Sequence, residues 1–286
     1  TKKFEWTSNF NIAFNQNRVT ELAEGQNALL TAAQFDQNFN QQSSYIAIKG
    51  KSMGTMYGYI YDGTYKLDEF DKSGNTYTLK ANVPHFSGEN NTQPGMPKYR
   101  DINGDGVVDS NDCTVIGNGL PTHTGGFTNN FAYAGFDLSI FFQWSYGNDI
   151  LNANRLFFES SWNTSRDLNQ FASYANRWTF DNPTSDIPRA INSASNKVFS
   201  SRIIEDGSFL RLKTLTLGYT LPKAVVTRLH IDNLRVYFAA QNLFTITNYS
   251  GYDPEVSIRN NALTPGLDFS AYPRARQFSF GLHIGF

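Results

Sequence analysis

Residues 277–286, QFSFGLHIGF, set Phe278, Phe280, Leu282, Ile284 and Phe286 against Gln277, Ser279, Gly281, His283 and Gly285. Successive side chains of an extended chain point to opposite faces, so the stretch reads as a β-strand with one aromatic face and one polar face. Its length is about that of a tilted strand crossing a bilayer, ~9–11 residues.

The pattern recurs upstream. Phe4, Trp6, Phe10, Ile12 and Phe14 share one face, broken only by Ser8, with Glu5, Thr7, Asn9, Asn11 and Asn15 opposite. FDLSIFFQWS puts Phe136, Leu138, Ile140, Phe142 and Trp144 against Asp137, Ser139, Gln143 and Ser145, and it follows GGFTNNFAY through Ala134-Gly135, which predicts a tight hairpin. In NLRVYFAAQNLF, Leu234, Val236, Phe238, Ala240 and Phe244 oppose Arg235, Tyr237 and Gln241. SFLRLKTLTLGYTLP breaks phase: Leu210 and Leu212 are even, while Leu215, Leu217, Tyr219 and Leu221 are odd. A β-bulge near Lys213 and Thr214 would explain this. So would a first half standing above the membrane, the account preferred on sequence alone.

A soluble antiparallel sheet with one wet face gives the same alternation. Here, however, the apolar face is repeatedly aromatic and the other carries mainly Asn, Gln, Ser and Thr, which suits a transmembrane β-barrel better than a solvated surface. Composition agrees: 24 Phe, 15 Tyr and 22 Gly with only 17% charged residues favour strands and turns. Nowhere do about 18 apolar residues run together, so a helical membrane protein is excluded, and no secretory signal opens the chain. The net charge of −1, without long runs of either sign, argues against a nucleic-acid surface. The single Cys113 cannot form an internal disulfide, and no Cys/His spacing suggests zinc.

Two long loop regions interrupt the strands. Residues 85–125 are rich in Gly, Pro, Asn and Asp, and contain DINGDGVVDSND. Asp101, Asn103, Asp105, Asp109 and Asp112 occupy positions 1, 3, 5, 9 and 12 of an EF-hand-like loop, with Gly106 at the turn and the carbonyl of Val107 at position 7. Oxygen ligands at this spacing predict a structural Ca2+ site of modest affinity, since position 12 is Asp rather than Glu and no clear helix precedes the loop. The alternative is a solvated Asn-Gly-Asp-Gly turn. Residues 160–200 contain DLNQFASYANRWTF, where Phe171, Tyr174, Ala175 and Trp178 fall at i, i+3, i+4 and i+7 and predict a short helix packed on its own loop. His85, His123, His230 and His283 lack Asp or Ser partners at a recognisable spacing, so no enzyme is predicted.

In order along the chain, GKSMGTMYGYIYDGTYK, PKYRDINGDGVVDSNDCTVIGNGLPTHTGGFTNNFAYAGFDLSIFFQWSYGNDI, RWTFDNPTSDIPR, GSFLRLKTLTLGYTLP, LRVYFAAQNLFTITNYSGYDPEV and YPRARQFSFGLHIGF carry a further signal. Together they resemble the C-terminal part of a SusC/RagA-type TonB-dependent outer-membrane transporter of the Bacteroidetes. Cys113, Gly119 and His123 depart from that pattern, in loops. The resemblance implies a 22-stranded barrel plugged by an N-terminal domain, coupled to TonB, capped by a SusD-like lipoprotein, and importing an oligosaccharide or a peptide.

On this reading residues 1–286 are an arc of about eight to ten strands in the bacterial outer membrane, lacking plug and N-terminal strands, with the rest supplied by another chain or fragment. Asp137, Gln143, Arg235, Gln241 and His283 would line the lumen. Phe286 resembles the aromatic end signal of outer-membrane barrels, and residues 277–286 would pair with a first strand outside this chain. The rival reading is a secreted calcium-binding β-domain for adhesion or glycan binding.

Overall fold

A computed structural model describes residues 3–39, 42–161, 168–258 and 261–286. Its main sheet has six antiparallel strands: β1 (Glu5–Phe14), β2 (His123–Tyr133), β3 (Phe136–Tyr146), β4 (Phe209–Thr220), β5 (Asn233–Thr247) and β6 (Gln277–Gly285), adjacent in that order. The arc is therefore six strands wide rather than eight to ten. The remaining short strands lie in the connections and do not extend the wall.

Register aligns the alternation across all six strands. One row reads Trp6, Phe131, Leu138, Leu217, Phe238, Phe280; the adjoining row, facing the other way, reads Thr7, Asn130, Ser139, Thr216, Ala239, Ser279. The apolar face is bare: Phe280 is 83% exposed and Trp6 61%. A water-soluble protein rarely leaves so continuous an aromatic surface uncovered. The polar break at Ser8 is matched across the ladder by Asn129, whose Oδ1 accepts from Trp6 Nε1 at 2.9 Å, so this outward amide keeps a partner.

The phase break in β4 is a bulge. Adjacent Phe141 and Phe142 of β3 pair with Thr214 and Leu212, leaving Lys213 as the extra residue. Leu210 and Leu212 thereby return to the same face as Leu215, Leu217 and Tyr219. The bulge accounts for the phase change without a first half standing above the membrane, the account preferred on sequence alone, since Phe209–Leu212 keeps its alternation while pairing with both β3 and β5.

The two ends of the arc differ. At one, β2 and β3 join through Ala134 and Gly135, both at positive φ (50° and 87°), the two-residue hairpin anticipated from the sequence. At the same end β4 and β5 are linked by residues 221–232, with a short helix Lys223–Val226. At the other end stand the long connections 15–122, 147–208 and 248–276. Short turns on one side and long loops on the other are the habit of outer-membrane barrels.

These long connections fold into a head with its own core. The first contributes a four-stranded sheet containing Ala28–Ala32, Ser43–Ile48, Thr55–Gly58 and Thr114–Asn118. Asp149–Asn152 from the second pairs antiparallel with Ile204–Asp206 and parallel with Leu267–Asp268 from the third. The main cluster draws Phe39, Tyr45 and Met56 from the first connection, Leu151, Phe157 and Ile203 from the second, and Leu267 from the third.

Where an amphipathic helix was anticipated, the chain forms a 3-10 helix, Ala172–Asn176, and Trp178 lies beyond it. Trp178 leaves the helical path to become buried, its Nε1 donating to the Pro183 carbonyl at 2.9 Å.

Candidate functional site

The polar face of the arc gathers Asp137, Gln143, Arg235, Gln241 and His283, the residues expected to line a lumen. The structure also pairs two of them. Arg235 donates from Nε to Asp137 Oδ1 at 3.0 Å and from Nη2 to Oδ2 at 2.6 Å. A bidentate fork of this kind fixes both side chains. It spans Gly218, which sits between Asp137 and Tyr237 in the ladder, and His283 is the ladder partner of Arg235.

The face is less uniformly polar than its sequence suggested. Phe141, passed over between Ser139 and Gln143, points inward, and Tyr237 lies over Gly281. Parity alone placed Phe141 there.

Near the head, the segment 248–276 folds onto this face through an ionic cluster. Arg211, 2% exposed, donates to Asp253 Oδ1, to Glu255 Oε2 at 3.0 Å and to Thr245 Oγ1 at 2.9 Å. Lys213 and Arg274 also reach Glu255 Oε2, at 3.0 and 2.9 Å. Burial pushes the Asp253 carboxyl up, but Arg211 and the N–H groups of Glu255 and Arg274 outweigh it and hold the group below its ordinary range. Sequence reasoning missed this cluster. Its one signal was Arg211, a charge at an inward position of a strand otherwise free of carboxylates.

In the acidic loop, Asp101 accepts from the N–H groups of Gly104 (2.7 Å) and Gly106 (2.8 Å), Asn103 Oδ1 from that of Asp105 (2.8 Å), and Asp105 Oδ1 from that of Val107 (2.8 Å). Asp109 caps the short 3-10 helix Ser110–Asp112. Asp112 is fully buried, and its carboxylate accepts from Ile102 (2.7 Å), Asn103 (3.3 Å) and Asp109 (2.9 Å). Burial raises its pKa, yet these three N–H groups bring it below the usual value. Asp112 thus acts as a backbone brace, while Asp101, Asn103, Asp105 and Asp109 lie nearer solvent. Among the described residues no three His, Cys, Asp or Glu side chains gather closely enough to hold a metal ion. The donor set suits a hard cation in chemistry and spacing, and would need these side chains to converge.

A bare aromatic wall, a polar inner face and long loops at one end define an outer-membrane-type β-barrel. No family model matches the chain. It is 34% identical over 99% of its length to TonB-dependent receptor P3 of Formosa agariphila, covering 27% of that protein, and 25% identical over its whole length to TonB-dependent receptor SusC of Bacteroides thetaiotaomicron, covering 25% of it. Among solved structures, the RagAB peptide importer in its "open-open" state superposes over the whole chain with a TM-score of 0.70 at 25% identity, covering 27% of that chain. In sequence and in fold the chain is similar to a stretch of SusC/RagA-type TonB-dependent barrel, as its motifs indicated, and it spans about a quarter of the length of these curated relatives.

Proposed function

We propose that this chain forms part of the wall and outer loops of a transporter embedded in the bacterial outer membrane, importing an oligosaccharide or a peptide with energy delivered through TonB. The remainder of a 22-stranded barrel and its plug would come from sequence outside this chain, and a SusD-like lipoprotein would cover the mouth. The observation that carries this reading is the six-strand register. One row is wholly apolar, with Trp6, Leu217 and Phe280 exposed and Phe131, Leu138 and Phe238 partly so, and the next is small and polar, as a wall between lipid and an aqueous lumen requires. A secreted β-domain would instead hold that face in water.

The open edges of β1 and β6 fit the same reading, because backbone groups facing lipid need a strand partner. The test is solute uptake by cells carrying the full-length transporter, with and without TonB. TonB-dependent accumulation of an oligosaccharide or peptide is expected; accumulation of neither defeats the proposal.

For the acidic loop we propose a structural Ca2+ site that stiffens the head, with Asp101, Asn103, Asp105, Asp109 and the Val107 carbonyl as ligands around the Asp112 brace. The spacing and the position of these four side chains nearer solvent support it. Calorimetric titration of Ca2+ into the full-length transporter tests it.

A further inference from the structure

At its loop end the bare face of the wall closes on an aromatic row. Phe14, His123 and Tyr146 are ladder neighbours on β1, β2 and β3, with ring centroids 5.5 Å apart for Phe14 and His123 and 5.0 Å for His123 and Tyr146. Phe14 is 69% and Tyr146 58% exposed. In outer-membrane barrels such rings gather where acyl chains give way to headgroups.

Just beyond this row the chain brings three cations together. Arg18 lies four residues past Phe14, at the same parity, a reach of no more than about 14 Å. Its Nε donates to the Gly50 carbonyl at 2.9 Å, while the Gly50 N–H donates to the Val19 carbonyl at 2.8 Å and the Val19 N–H to that of Lys51 at 2.9 Å. Gly50 turns with φ +86°, and a Cβ there would lie 3.4 Å from Arg18 Nη2. The guanidinium is thus laid over the residue between Lys49 and Lys51, and all three cations are exposed. Among the described residues none of the three forms a salt bridge, although Glu21 and Glu24 follow Arg18 closely in the chain. Gathering like charges on one turn is unfavourable until an anion offsets them.

A phosphate matches this arrangement, because an Arg fork offers paired N–H donors and each Lys adds a point charge. The aromatic row beneath selects what carries the phosphate: a molecule with apolar chains to lay along the wall. We infer that Arg18, Lys49 and Lys51 bind a phosphate of an anionic outer-leaflet lipid whose acyl chains lie against Phe14 and Tyr146. The inference rests on the outer-membrane reading and adds a lipid partner to it.

The test uses the full-length transporter in a zwitterionic detergent, titrated with phosphorylated lipid A, with the same lipid dephosphorylated, and with inorganic phosphate, bound ligand being read by native mass spectrometry. Wild type should hold the phosphorylated lipid at least tenfold more tightly than either control. Arg18→Gln/Lys49→Gln/Lys51→Gln should lose at least tenfold in that affinity. Lys49→Arg/Lys51→Arg, which keeps the charges, should stay within threefold, as should Lys72→Gln, an exposed cation on the separate hairpin Phe70–Leu79. Heat-modifiable migration of each variant confirms a folded barrel. An unchanged Kd in the glutamine triple, equal binding of the dephosphorylated lipid or of inorganic phosphate, an equal loss in Lys72→Gln, or no lipid held by wild type overturns the site. Where the wild type then still resists an alkaline wash of the membranes, the outer-membrane reading stands alone; where the wash releases it, both fall.

Discussion

Arg235 reaches diagonally across Gly218 to grip both carboxylate oxygens of Asp137, and only a residue without a side chain leaves that path open. A Cβ at position 218 would sit 2.4 Å from Arg235 Nη2 and 2.5 Å from Asp137 Oδ1. Gly218→Ala should therefore displace the pair and destabilise the wall by about 1–3 kcal/mol. Asp137→Asn, at a half-exposed pair, should cost less, about 0.2–1 kcal/mol. Denaturant unfolding of the full-length protein in detergent reads both. An alanine variant as stable as wild type would show that the fork is not formed.

Phe280 and Ser279 are neighbours on opposite faces of β6. Phe280→Lys should cost roughly 2–4 kcal/mol if the residue lies near the bilayer midplane, whereas Ser279→Lys should be far milder. Assembly yield in membranes separates them. Equal yields for the two lysine variants would contradict the assignment of faces.

The Asp253 carboxyl is held below its ordinary range in the folded head. A depressed carboxylate pKa contributes stability above the unfolded value, roughly pH 4, and that contribution is lost as pH falls through the folded value. Hydrogen-exchange protection factors across residues 248–276, normalised to the intrinsic rate at each pH, should thus be high and similar at pH 7 and pH 5, then fall below about pH 4. Arg211→Met should speed exchange already at neutral pH, because it strands Asp253 without its guanidinium. Exchange indifferent to both changes would remove the cluster from the list of loop anchors.

Asp105 and Asp112 should respond differently to substitution. If the loop holds Ca2+, Asp105→Ala should lose the ion while leaving the calcium-free loop nearly as ordered as before. Asp112→Ala should loosen the loop with or without calcium, since the N–H groups of Ile102, Asn103 and Asp109 lose their shared acceptor, at a total cost of about 1–3 kcal/mol. Calorimetry with Ca2+, paired with proteolysis of the loop, distinguishes the two. Identical behaviour of the variants would refute this division of roles.

The wall was legible because a period of two needs no knowledge of partners: Phe278, Phe280 and Leu282 declare their face by spacing alone. The bulge at Lys213 was only half legible. A slipped register and a strand leaving the membrane produce the same phase change, and the pairing of Leu212 and Thr214 with adjacent residues of β3 is what separates them. The head was opaque for a different reason. Its ties join positions far apart in the chain, such as Leu151 to Leu267, and short strands of two to six residues carry little periodicity. The helical spacing of Phe171, Tyr174 and Trp178 was real, but burial of Trp178 beside Gly95 outweighed it: a Cβ on residue 95 would lie 2.3 Å from the indole.

The strand Asp149–Asn152 is held on both flanks, by a neighbour from its own connection and by one from the connection between β5 and β6. It works as a rivet through the rim. The upper ends of β3 to β6 cannot splay independently while it is seated, so this sector of the mouth behaves as a rigid lip.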